Sequence, residues 1–118
     1  MPGDGKPLSK LATLNLNKDF RRLYGRGRSK VHPALVTYVA KNRVGFCRIG
    51  ITASKKIGNA VQRNRARRVI REAYRLLSDR VEGAYDLVFV ARGRTTRLKS
   101  TTIQKVMEEQ LKALGVLA

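Results

Sequence analysis

In KKIGNAVQRNRARRVIREAYR, residues 55–75, eight of twenty-one side chains are Lys or Arg, and Glu72 is the only acid. The chemistry such a stretch can do is phosphate binding. Lys55 and Lys56 offer compact point charges. Arg63, Arg65, Arg67, Arg68, Arg71 and Arg75 offer planar forks that suit bidentate phosphate contacts and stacking on bases. Wound at about 100° per residue, Asn64, Arg67, Arg68, Arg71 and Arg75 collect within about 100°, with Arg63 and Arg65 at the edges. Ala66, Val69, Ile70, Ala73, Tyr74, Leu76 and Leu77 fall within about 160° on the other side and predict a core face. Gly58 and Asn59 open this helix, which is expected to run to about Asp79. Lys55 and Lys56 precede it, where backbone N–H groups and the positive dipole end also favour an anion. Like charges at i, i+4 repel, so the stripe calls for a counter-charge from outside.

The rest of the chain cannot supply one. Twenty-six Lys and Arg face eight Asp and Glu, a formal net charge of +18 with a pI near 11.3. That imbalance points to a polyanionic partner. A lipid surface fits less well than nucleic acid. The chain has no Trp, and the apolar face of the basic helix is needed to cover a sheet rather than a membrane. No apolar run approaches the ~18 residues of a spanning helix, and residues 1–14 lack the apolar core of a secretory signal. A cytoplasmic location is expected. Cys47 has no second cysteine to pair with, which rules out an internal disulfide and a cysteine-based zinc finger. It reads as a small buried hydrophobe on a strand.

Nucleolytic chemistry by the polypeptide would need clustered carboxylates. Glu72, Asp79 and Asp86 have no metal-ligand spacing, His32 stands in a loop before Pro33, and no Ser–His or Cys–His arrangement is visible. No protein-held metal is expected.

The elements that must position the basic stripe read as follows. At 118 residues the chain is expected to form one domain. Residues 1–14, with Pro2, Gly3, Gly5 and Pro7, predict a flexible lead-in, and residues 15–118 the domain. NKDFRRLYG predicts a short helix capped by Asn17 and closed by Gly25, with Phe20, Leu23 and Tyr24 on one face. GRGRSK reads as a basic loop. HPALVTYVAK alternates as a strand, with Tyr38 on the face opposite Leu35 and Val39. FCRIGITAS predicts a second strand. Its Cys47, Ile49, Ile51 and Ala53 face is apolar, while its Arg48, Gly50, Thr52 and Ser54 face is small and polar and leaves room for a ligand. After the basic helix come a third strand, Leu87 to Ala91, and a second basic loop, GRTTRLKS. The last helix is expected to be capped by Ser100 or Thr101, with Gln104 completing a capping box. Its stripe is Ile103, Val106, Met107, Leu111 and Leu114, and Gly115 stops it. The mixture predicts an α+β, two-layer α/β sandwich.

Residues 54–75, SKKIGNAVQRNRARRVIREAYR, resemble the signature S-K-K-x-G-x-A-V-x-R-N-x-x-K-R-x-x-R of the bacterial ribonuclease P protein component, with Arg67 where Lys is common. The resemblance extends over residues 15–115, through the F…Y…G of the first helix, RIGITASKK and DLVFVAR. It implies an α-β-β-β-α-β-α fold with a left-handed βαβ crossover, similar to a domain of ribosomal protein S5. It also implies the protein subunit of a ribonucleoprotein endonuclease that removes the 5′ leader of precursor tRNA, with the Mg²⁺-dependent chemistry in a catalytic RNA. Lys55, Lys56, Asn59, Arg63, Asn64, Arg65, Arg67, Arg68, Arg71 and Arg75 are then expected on the catalytic RNA. Phe20, Tyr24, Tyr38, Thr52 and Ser54 are expected to line a cleft for the single-stranded leader. Without the resemblance, Phe20 and Tyr24 on a helix read more often as core, and Tyr38 is the better candidate for stacking a base. Expected partners are the catalytic RNA and precursor tRNA, with no membrane and no obligate protein partner. A structural RNA binder of ribosomal type explains charge and size equally well, but not the long motif. A protein-only nuclease lacks its carboxylates.

Overall fold

The computed structural model describes residues 12–14 and 17–117. Its centre is made by two strands whose side chains are largely buried on both faces: β3 (Leu35–Lys41) and β5 (Tyr85–Ala91). They pair antiparallel, with Leu35 opposite Ala91 and Lys41 opposite Tyr85. On one side β5 pairs in parallel with β4 (Arg48–Thr52), and β4 in turn with the two-residue β1 (Ala12–Thr13). On the other side β3 pairs antiparallel with β2 (Arg28–His32). The order across the sheet is β1-β4-β5-β3-β2. Helices α1 (Asn17–Arg26), α2 (Ala60–Leu77) and α3 (Ser100–Ala113) complete the α+β fold. Helix α2 links the parallel neighbours β4 and β5.

Period-two alternation sorts the strands into two faces. Leu35, Val39, Ile49, Leu87, Phe89 and Ala91 point to one face and form the main core with α2 and α3, through Ile70, Leu77, Ile103, Met107 and Leu111. Fully burying a Phe or Leu side chain contributes roughly 1.5–3 kcal/mol, so this face carries most of the stability. Val88 points the other way and packs with Leu14 and Leu23, with Phe20, Tyr38, Ala40 and Val90 around them. Helix α1 therefore lies on the second face. Leu14, at the end of the expected lead-in, is buried in this smaller cluster, and its N–H donates to the Ile49 carbonyl at 2.8 Å.

Several expectations are corrected. The second half of the segment read as the basic loop GRGRSK begins β2, an edge strand with almost no apolar side chains; its pairing with β3 makes it a strand. Helix α1 does not close at Gly25. It reaches Arg26, and the Gly27 N–H donates to the Leu23 carbonyl at 2.9 Å. A Cβ on Gly27 would lie 2.5 Å from that oxygen and 3.0 Å from the Val39 carbonyl oxygen, so the glycine is needed where helix end meets β3. The side chain of Asn17, the expected cap, lies outside the described residues. The second strand starts at Arg48 rather than Phe46, because the Asn42 side chain bonds the Phe46 carbonyl and the Val44 N–H and holds residues 42–46 as a turn. Cys47 precedes the strand and is half-buried, its thiol against the Gly83 carbonyl at 3.2 Å. Helix α2 ends at Leu77, followed by a turn of 3₁₀ helix, and Leu76 is 43% exposed rather than core. The capping box expected at Thr101 does not form. Lys99 is the N-cap residue, its carbonyl taking the Thr102 and Ile103 N–H groups, and Ser100 and Thr101 sit inside the first turn. At the other end Gly115 does stop α3: at φ 81° it lets the Val116 N–H reach the Leu111 carbonyl at 2.8 Å.

Candidate nucleic-acid interface

The register of the second face sets out three rows of side chains across β4, β5 and β3: Arg48–Asp86–Ala40, Gly50–Val88–Tyr38 and Thr52–Val90–Val36, the last continuing to Val31 on β2. Helix α1 crosses the middle row. A Cβ on Gly50 would lie 2.6 Å from Phe20 Cζ, so only a glycine lets that ring settle onto β4. Leu23 packs with Val88. Tyr24 meets Tyr38 edge to face, ring centroids 4.9 Å apart, while remaining 44% exposed. Phe20, Tyr24 and Tyr38, expected in one cleft, are thus brought together. Thr52 lies half-buried in the open third row, and exposed Ser54 two residues further on. Sequence reasoning missed Val90 and Val31, which share that row; Val31 is 72% exposed. The trace of Val31 in the sequence was a lone aliphatic in an otherwise basic and polar stretch, RSKVH.

The first row is closed by charge. Asp86 is fully buried, and its carboxylate accepts from Arg48 Nε at 2.9 Å, Arg48 Nη2 at 2.8 Å, Asn42 Nδ2 at 2.8 Å and an Arg22 Nη2 from α1. Burial by itself would push the Asp86 carboxyl up. The hydrogen bonds from Arg48 and Asn42, the Arg48 charge and the Arg22 bond outweigh it and hold the group below the usual carboxylate range. The same bond to Asp86 raises Arg48. The sequence reading weighed this acid only as a metal ligand.

On the other side of the molecule, β4 passes through a turn of 3₁₀ helix, Lys55–Ile57, into α2. Lys55 and Lys56 are exposed, as are Arg65, Arg68 and Arg71, while Arg63 is half-buried. The expected residues do not all present free groups. Asn59 is the N-cap: its Oδ1 takes the Gln62 N–H at 2.9 Å, and the Gln62 Oε1 takes the Asn59 N–H at 2.8 Å. Arg67 donates to Asn64 Oδ1 at 3.1 Å and to the Ala53 carbonyl at 3.4 Å, which ties the helix to the end of β4. Arg75 forks onto Glu72, which lowers the Glu72 carboxyl through that hydrogen bond. Arg65 donates to the Thr96 carbonyl at 2.9 Å, so the second basic loop packs beside α2. Between them runs a groove of about 520 Å³ lined by Arg65, Arg68, Val69, Glu72, Lys99, Ser100 and Thr101. Among the described residues no three of His, Cys, Asp and Glu come together to hold a metal ion.

A basic helix thus covers one side of the sheet and a cluster of aromatic rings lies on the other. The family profile described as Ribonuclease P matches residues 8–115. The chain belongs to the ribonuclease P protein family. Curated relatives named ribonuclease P protein component include one from Clostridium botulinum strain Langeland, 42% identical over 101 residues that span 85% of this chain and 91% of the relative. Another, from Clostridioides difficile, is 40% identical over 104 residues, 87% of this chain and 91% of the relative. Among solved structures, the Staphylococcus aureus RNase P protein superposes with a TM-score of 0.80 at 34% identity, covering 92% of this chain and all of that one. The Thermotoga maritima RNase P protein gives 0.73 at 26% identity, over 86% and 94%. For this ribonuclease P protein the α2 stripe and the α1 cleft both lie inside the matched span.

Proposed function

We propose that this ribonuclease P protein holds two RNAs on two surfaces joined by one edge. As the protein subunit of the ribonucleoprotein it takes part in maturing the 5′ end of tRNA, and its partners are ribonuclease P RNA and precursor tRNA. In this reading the α2 face binds the catalytic RNA through Lys55, Lys56, Arg63, Arg65, Arg68 and Arg71. Arg67 shares that role while bracing β4, Asn59 and Asn64 shape the helix start, and Arg75 sits at the end of the stripe, half neutralised by Glu72. The α1 cleft binds the single-stranded leader: Phe20, Tyr24 and Tyr38 stack bases, and Thr52 and Ser54 bond the backbone that passes them.

One observation carries the reading. Thr52 on the cleft face is followed, after the buried Ala53, by Ser54, the Lys55–Ile57 turn and α2. A leader running along the third row therefore leaves the cleft beside the basic face. Stacking on aromatics tolerates any base, at roughly 1–3 kcal/mol per base, which suits leaders of differing sequence.

The Mg²⁺ that cleavage needs is assigned to the catalytic RNA. Asp86, the best-buried acid among the described residues, already has both oxygens filled by Arg22, Arg48 and Asn42. The polypeptide's share of the work is affinity and orientation. The cytoplasm is the proposed location; among the described residues no helix is long and apolar enough to cross a membrane.

The test is a pair of alanine variants. Arg68→Ala is expected to weaken binding to the catalytic RNA. Tyr38→Ala is expected to weaken affinity of the assembled enzyme for leader-bearing substrate while sparing mature tRNA. If both variants weaken mature tRNA equally, the two surfaces are not separate.

A further inference from the structure

Asp86 poses a question that the two binding surfaces do not answer. Among the described residues no other charged side chain is fully buried, and a buried carboxylate persists only where its desolvation is offset by strong partners. Its partners come from three places: Arg22 on α1, Asn42 in the turn after β3, and Arg48 on β4. Arg48 is bidentate and joins β4 to β5, and Asn42 joins the turn after β3 to β5. Arg22 is the one donor that ties the carboxylate to the helix.

The position of Arg22 on α1 gives that tie a mechanical meaning. In a helix Arg22 stands about 160° round the axis from Tyr24 and from Phe20. Leu23 lies between the two flanks and is fully buried. Helix α1 thus rests on the sheet through Leu23, with its aromatic flank toward the cleft and its Arg22 flank toward Asp86. A helix resting on one apolar residue is free to roll unless both flanks are held. The aromatic flank is held by apolar contacts: the Tyr24–Tyr38 edge contact, and Phe20 above Gly50 and against the Leu14–Leu23–Val88 cluster. The opposite flank is held by an ion pair with a buried carboxylate, while Asp19, one turn earlier on the same helix, lies 4.0 Å from the Arg22 guanidinium.

We infer that Asp86 is a positioning residue for the leader cleft: through Arg22 it fixes the roll of α1 over the sheet and so sets Phe20 and Tyr24 against Tyr38. The inference rests on the cleft reading proposed above. Asp86 touches no RNA in this arrangement. It sets the width and pitch of a stacking site in the next row of side chains, while α2 on the other face is left as it is.

The experiment uses Asp86→Asn, Arg22→Gln and the double variant in the full-length protein, assembled with catalytic RNA. Three quantities are read: the ratio of affinities for leader-bearing and mature tRNA, the affinity for the catalytic RNA, and the nuclear Overhauser contact between the Tyr24 and Tyr38 rings in the free protein. Each single variant is expected to lose the ring contact. The leader preference should fall by roughly five- to 150-fold, the value of one stacked base, with catalytic-RNA affinity unchanged within about twofold. The double variant should be no worse than Asp86→Asn, because both remove the same tie. Arg22→Lys, which keeps the charge, should recover part of the preference. Should Asp86→Asn fail to fold, Arg22→Gln carries the test, since the Arg22 side chain is 33% exposed. A wild-type ring contact and leader preference in Arg22→Gln would overturn the inference. If Tyr38→Ala itself leaves leader preference intact, the cleft reading has failed. The ring contact then decides the clamp separately: kept in Arg22→Gln it refutes the tie, and lost it upholds it.

Discussion

Gly50 and Phe20 are fitted to one another: the Phe20 ring occupies the space a Cβ on residue 50 would need, with Cζ 2.6 Å and Cε1 2.7 Å from that position. A strand residue and a helix residue thirty positions apart in sequence thereby set how closely α1 approaches β4. Gly50→Val is expected to lift the Phe20 ring off the sheet, at a cost of about 1–3 kcal/mol in stability, the range for overpacking. It should lower affinity for leader-bearing substrate more than for the catalytic RNA. Urea denaturation and the two binding constants check it; equal losses in both affinities would contradict the cleft geometry.

Asn59 separates capping from contact. Its side chain closes a reciprocal box with Gln62 at the start of α2. Asn59→Ala should cost about 0.5–2 kcal/mol of stability. Asn59→Ser, which keeps a cap, should lose much less. If the serine variant holds stability but still loses catalytic-RNA affinity, the side chain touches RNA as well as capping.

Gln110 ties α3 to the β2–β3 hairpin. Its amide donates to the Leu35 and Lys30 carbonyls at 2.8 and 3.2 Å and accepts from the buried Thr37 hydroxyl at 2.7 Å. Gln110→Leu strands that hydroxyl and is expected to cost roughly 1–3 kcal/mol. Adding Thr37→Val should recover part of the loss, because no donor is then left without an acceptor. A chemical denaturation series with unchanged slope tests both, and no recovery in the double variant would refute the pairing.

Acid should act through the paired carboxylates. Asp86 is lowered against its burial by Arg48, Asn42 and Arg22, Glu72 by Arg75, and Glu108 by Arg80 and Lys112. A carboxyl lowered in the fold binds its proton more readily when unfolded. Its stabilising contribution is therefore complete above the ordinary value of about 4 and is lost as pH falls below that, through the folded values. The urea midpoint is expected to be level from pH 7 to 5 and to drop below about pH 4. In Asp86→Asn the acid limb should be shallower; an identical limb would remove Asp86 from the account.

Salt should weaken the catalytic-RNA complex steeply. Six to ten phosphate contacts lose roughly 10³–10⁵ in affinity between 50 and 200 mM salt. Replacing Arg68 by alanine should reduce the log–log slope by about one. A slope unaffected by losing Arg68 would place that side chain off the phosphates.

Much of this protein was legible from its residues. The stripe of Arg63, Arg65, Arg68 and Arg71, the core face of α2 through Ala66, Ile70 and Ala73, the two-faced strand around Gly50 and the stop at Gly115 all follow from periodicity and glycine stereochemistry, which are local. Other features depended on partners far along the chain. Arg28–His32 has no alternation to betray it, and became a strand by pairing with β3. Asp86 looked like a scattered acid until folding brought Arg22, sixty-four residues away, and Arg48 around it. Gly27, not Gly25, ends α1 because the Val39 carbonyl lies against it. Side-chain periodicity records which face a residue turns inward; it carries no record of what will stand opposite. The basic face was therefore settled by the order of amino acids, whereas the roll of α1, and with it the aromatic cleft, was decided by hydrogen bonds and steric fit that exist only in the folded chain.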